Sequence, residues 1–214
     1  MRFVLVRHGE SVGNAERRLQ GQGDYPLTER GRQQSRRLAE RLASVELAAV
    51  YFSPIARARE TAELIAVPHE LSVVPLPGVR EYDFGEAAGL TYRQVVERYP
   101  EVVEAYLKGP DYPRFPGEEG RETFRERVTE ALWRLAEQHP RQSVAVVTHA
   151  GPIAVFCLDV LGMPYRRPVP FAFDNGSLSV VEVRDGPGLP MDPRPRAMLL
   201  TLNDTCHLDE GEPA

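Results

Sequence analysis

The chain reads as an α/β protein, a three-layer α/β/α sandwich built on one mainly parallel sheet. Three features predict it. The runs Phe3 to Val6 (FVLV) and Val144 to Val147 (VAVV) are continuous, apolar and rich in Val, the pattern of central strands covered on both faces. Strand-like runs alternate with helical patterns along the chain, the order that crossover connections produce. A length of 214 residues, 42% of them hydrophobic, suffices for one large core with a modest insertion.

The first apolar run ends abruptly in Arg7, His8 and Gly9. PLTERGRQQSRRLAERLAS then supplies a helix, with Thr28 as N-cap and Leu38 and Leu42 four apart on one face of an Arg-rich surface. LAAVYFSP is a strand running into a turn at Ser53-Pro54, and IARARETAELIA continues as a helix with Arg57 in its first turn. The prolines of LSVVPLPG suit an edge strand better than a central one. The pattern from Thr91 to Lys108 is helical, and GPDYPRFPGEEG, between Gly109 and Gly120, is a breaker-rich loop. Phe124, Val128, Leu132 and Leu135 recur at helical spacing before the second Val-rich strand, which ends in Thr148, His149, Ala150 and Gly151. IAVFCLDVLG is a mostly buried helix stopped by Gly162, and SLSVVEV and AMLLTL are two further strands joined by RDGPGLPMDPRPR.

A net charge of -5 disfavours nucleic acid or an anionic membrane as the main partner, while leaving room for a small basic pocket. No apolar stretch is long enough to span a bilayer and the N-terminus runs straight into a strand, so a cytoplasmic location is expected. Cys157 and Cys206 form neither a metal-ligand spacing nor a disulfide framework. His69, His139 and His207 have no strand-end setting and read as structural or surface groups.

In open α/β sheets ligands bind outside the carboxyl ends of the strands. Arg7, His8, Arg57, Glu81 and His149 all fall just after predicted strands, so one sheet edge is expected to gather them. Two guanidiniums and nearby helix N-termini match a tetrahedral oxyanion such as phosphate. GxxxxGK[ST] is absent, and no cluster of Asp, His and Glu suited to two metals lies near these histidines. A neutral imidazole can itself be the nucleophile, with cations on the non-bridging oxygens and an acid on the leaving oxygen. On residue type alone Arg59 competes with Arg57, and Asp83 and Glu86 compete with Glu81. Asn14 could cap a helix starting near Ala15.

RHGES with Asn14 three positions on, DYPLTERGRQQ, SPIARARETA, REYDFGEAAGLT, PGEEGRETFRERV, VTHAGPI and LNDTCHL resemble, in order and over nearly the whole chain, the histidine phosphatase superfamily, also called phosphoglycerate mutase-like. The resemblance implies a single domain over 1–214, with 91–121 as a lid insertion over the site. It makes His8 the residue phosphorylated in turnover, with Arg7, Arg57, His149, Asn14 and the backbone of Ala150 binding phosphate. Glu81 matches the family's general acid, and Tyr106, Tyr112, Arg114 and Phe115 are lid contacts to substrate. The implied activity is that of a histidine acid-type phosphatase, a metal-independent phosphomonoesterase needing no cofactor and acting on a small phosphorylated metabolite. PGEEGRETFRERV resembles the phosphatase branch more than the mutases. The alternatives are a phosphoglycerate mutase primed by 2,3-bisphosphoglycerate and a silent phospholigand-binding protein. Two departures from the family pattern are Ala87-Ala88 after FGE, expected to reshape the substrate entrance, and Ala150 where Gly is frequent. Monomer and dimer both remain open.

Overall fold

A computed structural model describes residues 1–108, 114–165, 169–184 and 196–209. The N-terminal Val-rich run forms strand β1 (Arg2–Arg7) and is followed by the short helix α1 (Val12–Ala15). Helix α2 (Glu29–Leu42) starts at Thr28, whose hydroxyl accepts the Gly31 N–H and so satisfies one of the free donors of the first turn. Strand β2 (Ala49–Phe52) leads into helix α3 (Ala56–Ala66), and the short β3 (Val73–Pro75) follows. Helices α4 (Tyr92–Arg98), α5 (Pro100–Lys108) and α6 (Arg121–Gln138) precede β4 (Ser143–Thr148) and α7 (Ala150–Val160); β5 (Leu178–Arg184) and β6 (Arg196–Asp204) close the described chain.

The six strands make one sheet in the order β3-β2-β4-β1-β5-β6. β3, β2, β4 and β1 pair in parallel, whereas β5 runs antiparallel to β1 and β6 antiparallel to β5. Side chains alternate across the two central strands. Phe3, Leu5, Val144 and Val146 enter a core with Phe124, Val128 and Leu132 of α6 and Ile153 and Phe156 of α7. Val4, Val6, Ala145 and Val147 enter a second core with Leu38 and Leu42 of α2 and Ala58, Ala62 and Ile65 of α3. Each fully buried Val, Leu, Ile or Phe stabilises the fold by about 1.5–3 kcal/mol relative to exposure, which is why the continuous apolar runs lie in the middle of the sheet. The sandwich is therefore three layers thick. Its mixed edge follows from β5 and β6 being consecutive antiparallel strands rather than parts of another crossover.

The stretch from Thr91 to Lys108 is two helices, not one. Pro100 disfavours helical backbone at Tyr99, which adopts φ -131° and ψ 54°, and the chain restarts at Pro100 with α5. Tyr99, between the two helices, and Val102 of α5 join Ala87 in a small separate cluster, bordered by Leu19, Phe84, Leu90 and Phe115. Ala87 is fully buried there while Ala88 is exposed, so the first alanine of the pair is a packing residue beneath Tyr99. Among the described residues no helix is long and apolar enough to cross a membrane.

Two glycines let the loop after β1 lie on α2. A Cβ on Gly9 would stand 2.3 Å from the Gly31 carbonyl oxygen, and one on Gly31 would stand 2.0 Å from that of Glu10. Backbone meets backbone here, so no side chain could swing away to make room.

Candidate active site

β1 and β4 are neighbours in parallel register, with Arg7 opposite Thr148. The next residue of each strand is a histidine, and the rings of His8 and His149 meet edge to face with centroids 5.1 Å apart. Both are almost wholly buried, His8 at 2% exposure and His149 at 0%. His8 Nδ1 lies 2.7 Å from the Gly9 carbonyl oxygen, an acceptor only, so Nδ1 carries the proton. Nε2 therefore holds the lone pair. Arg57 Nε confirms this tautomer by donating to Nε2 at 3.0 Å.

Arg57 enters from the first turn of α3 and is 1% exposed; its Nη1 and Nη2 donate to the carbonyls of Gly23 and Gly21, each at 2.8 Å. Arg59 lies outside the core and pairs with Glu63 on the same helix at 2.8 Å, so burial separates the two arginines that sequence left in competition. Arg7 donates from Nη1 to the Phe173 carbonyl, and its buried Nε has no protein partner. Asn14 is not an N-cap. Ser11 caps α1, and Asn14 sits at its third position, where Oδ1 accepts the Ser11 N–H at 3.1 Å.

Glu81 lies above the first turn of α7. Its Oε1 accepts the Tyr82 N–H at 2.8 Å and its Oε2 the Gly151 N–H at 3.3 Å. Gly151 permits this, because a Cβ there would stand 2.2 Å from Glu81 Oε1. Asp83 instead accepts from Gly85 N at 2.9 Å, and Glu86 pairs with Arg98 at 3.3 Å. Ala150 opens α7 directly after His149. Of the expected lid residues, Tyr112 and the side chain of Tyr106 lie outside the described residues. Arg114 is exposed and 4.0 Å from Glu118, and Phe115 packs edge-on against Tyr99 with centroids 5.3 Å apart, so both make contacts within their own segment.

Two residues that the sequence did not single out complete the arrangement. Ser53, at the end of β2, is fully buried with Oγ 2.8 Å from His149 Nε2, and holds that ring while its buried Nδ1 has no protein partner. Asn175 Nδ2 donates to the carbonyl of His8 at 3.2 Å and to Asn14 Oδ1 at 3.2 Å, pinning the loop after β1 from the opposite side. The turn SP and the dipeptide DN offered only local signals, and these contacts join residues far apart in the chain.

Burial is the main electrostatic fact. It depresses the pKa of His8 and of His149 well below the usual histidine value, and the positive charges of Arg57 and Arg7 push both in the same direction. Burial also pulls Arg57 down to about 10 and lowers Arg7, with the Glu81 carboxylate opposing the shift in each. Two desolvated guanidiniums around neutral imidazoles form a site in which an anion is stabilised. Unfolded histidines titrate near pH 6.5, so below about that pH the unfolded chain binds protons that the native state refuses. Stability is therefore expected to fall on acidification below about pH 6.5, by up to about 1.4 kcal/mol per pH unit for each of the two histidines. Urea denaturation at about pH 7.5, 6.5 and 5.5 checks this, and equal stability at the two lower values would mean that the buried rings accept protons.

Among the described residues one group has metal-ligand composition: Asp204, Cys206 and His207, with ligand atoms within 4.8 Å of one another. The Asp204 carboxylate is already engaged by the Cys206 N–H at 3.0 Å and by Arg41 at 3.4 Å, a cation beside the position a metal ion would need. His207 is bonded to the Gly176 carbonyl and His139 to the Tyr51 hydroxyl, at 2.9 and 2.8 Å, so each contributes to the scaffold.

Comparison with known proteins matches residues 3–189 to the family model of the histidine phosphatase superfamily (branch 1). Phosphoserine phosphatase 1 of Hydrogenobacter thermophilus is 33% identical over 210 residues, covering 98% of this chain and 95% of that protein. Phosphoglycerate mutase-like protein 4 of Arabidopsis thaliana is 39% identical over 211 residues, covering 97% and 87%. The solved structure of Bacillus stearothermophilus YhfR superposes with a TM-score of 0.86 at 29% identity, covering 97% of this chain and 99% of that one.

Proposed function

The chain belongs to the histidine phosphatase superfamily, and from that premise we propose that it hydrolyses small phosphomonoesters through a phosphohistidine on His8, without a metal ion. Relatives named as phosphatases support the hydrolytic activity. The observation that carries the chemistry is the His8 tautomer, a buried neutral ring with its proton spent on Gly9 and its lone pair at Nε2 beside Arg57. In the first step Nε2 attacks phosphorus, the ester P–O bond breaks, and Glu81 delivers its proton to the leaving oxygen. In the second, Glu81 takes a proton from water as the oxygen attacks phosphorus, the P–N bond breaks, and His8 returns to its neutral form. Arg7, Arg57, Asn14, His149 and the Ala150 N–H bind the phosphoryl oxygens, the guanidiniums supplying the charge that a metal ion supplies elsewhere.

The competing reading is a phosphoglycerate mutase, in which the phosphoenzyme returns its phosphoryl group to a phosphoglycerate instead of to water. Phosphate release from a panel of phosphomonoesters in EDTA, run beside 3-phosphoglycerate with 2,3-bisphosphoglycerate, separates the two. Release that EDTA leaves unchanged and that outpaces isomerisation is the expected result. Faster isomerisation would make the protein a mutase, and silence in both assays would favour a phospholigand-binding protein.

A further inference from the structure

We infer that Arg127, paired with Glu119, is the positioning residue of the acid/base group, holding the backbone on both sides of Glu81 so that its carboxyl lies over α7. This rests on the proton-transfer role proposed for Glu81. Arg127 lies on α6 and does not touch the Glu81 carboxyl. Its five N–H groups have five acceptors. Nη1 donates to the carbonyls of Gly78 and Arg80 at 2.9 and 2.8 Å, and Nη2 donates to the carbonyl of Glu81 at 2.9 Å. The remaining two, from Nε and Nη2, form a fork on Glu119 at 2.9 and 2.8 Å. The guanidinium also lies over the Phe124 ring, 4.9 Å from its centroid. The pair is mostly buried, with side-chain exposures of 19% and 14%.

Glu119 extends the clamp to the other side of the acid. Its Oε1 accepts the Asp83 N–H at 2.7 Å, while the Glu119 N–H donates to the Asp83 carbonyl at 3.2 Å. Next to it, Glu118 accepts the Tyr82 hydroxyl at 2.7 Å. Carbonyls 78, 80 and 81 and amide 83 are thus all engaged by one ion pair, with Gln22 Nε2 a second donor to carbonyl 81 at 3.2 Å, and the two bonds that Glu81 accepts from Tyr82 and Gly151 hold only while that backbone stays in place. A lysine offers three donors from a point charge and cannot reproduce a planar fork with five acceptors. Proton transfer needs heavy-atom distances of about 2.6–3.2 Å, so a shift of the segment by a fraction of that range removes the acid while leaving the phosphate cradle of β1, α3 and β4 intact.

The test uses Arg127→Lys, Glu119→Gln and Glu81→Gln, each alone, and Arg127→Lys combined with Glu81→Gln, with kcat and KM measured on an alkyl phosphate and on p-nitrophenyl phosphate. Arg127→Lys is expected to lower kcat/KM, which reports the step that breaks the ester bond, by about 10- to 100-fold on the alkyl ester and by less than about 3-fold on the aryl ester. On the Glu81→Gln background the same substitution should add less than about 3-fold, since it acts through the group already removed. Equal losses on both esters, or full losses that multiply in the double variant, would overturn the inference. If Arg127→Lys lacks a cooperative thermal transition, Glu119→Gln is read in its place, because it leaves Arg127 and its carbonyl acceptors present. Leaving-group selectivity in Glu81→Gln but not in the clamp variants would sink the clamp alone. Loss of selectivity in Glu81→Gln itself would sink the acid assignment and the clamp with it.

Discussion

Alanine in place of His8 is expected to abolish phosphate release from every phosphomonoester, by about 10⁴-fold or more, the scale of removing a covalent nucleophile from a site whose groups act as a unit. His149 is the other imidazole in the site, but its Nε2 is tied to Ser53 at 2.8 Å and it comes from the start of α7 rather than from the loop held by Asn175. The fold should survive, because the buried ring is uncharged and the loop keeps its backbone bonds from His8 N to Thr148 O and from Gly176 N to His8 O. Arg57 also keeps its carbonyl acceptors at Gly21 and Gly23, so the variant should still bind phosphate. Labelled substrate and an acid-labile protein-bound phosphate, present in the parent and lost in the variant, measure this directly. Undiminished turnover in the variant would end the nucleophile assignment.

Glu81→Gln is expected to divide substrates by leaving group. The amide oxygen can still accept the N–H of Tyr82 or Gly151, so the loop keeps its anchor and the variant lacks only the transferable proton. Alkyl phosphates, whose alkoxide must be protonated, should lose about 10²- to 10⁴-fold in kcat/KM, which reports the step that breaks the ester bond, and p-nitrophenyl phosphate less than about 10-fold. With Glu81 also the proposed base in breakdown of the phosphoenzyme, a burst of p-nitrophenol followed by a slow steady state is the expected transient signature. Equal losses on both ester classes would assign the proton to another group.

Much of this site was legible because its residues stand where strands end. Continuous Val-rich runs located the two central strands, and parallel pairing then placed His8 and His149 side by side with no further assumption. Arg57 was legible for a related reason, as it opens a helix directly after a strand. What could not be read depends on contacts between distant segments. Ser53 reads as a turn residue, Asn175 as part of a loop, and Arg127 as one more charge on an amphipathic helix until the carbonyls it binds are seen. Asn14 was misplaced by three residues because Ser and Asn are both good caps, and only backbone geometry selects Ser11. Burial decided between Arg57 and Arg59, and burial belongs to the packed molecule.

The strand order bears on how the chain comes to be folded at all. β1 precedes both of its neighbours in the sheet, β4 and β5, and the Met1 amine finds its acceptor at Val183. A chain leaving the ribosome therefore carries Phe3 to Val6 as an unpaired apolar run through the synthesis of six α-helices and two other strands. Closing a loop of that length costs entropy before any contact compensates, so the middle of the sheet is a late, slow step. β2 and α3 are made early, but β2 too waits for β4 between itself and β1. Synthesis of β4 thus links β1 to β2 in a single event, and the strand that seals the core also brings His149 beside His8.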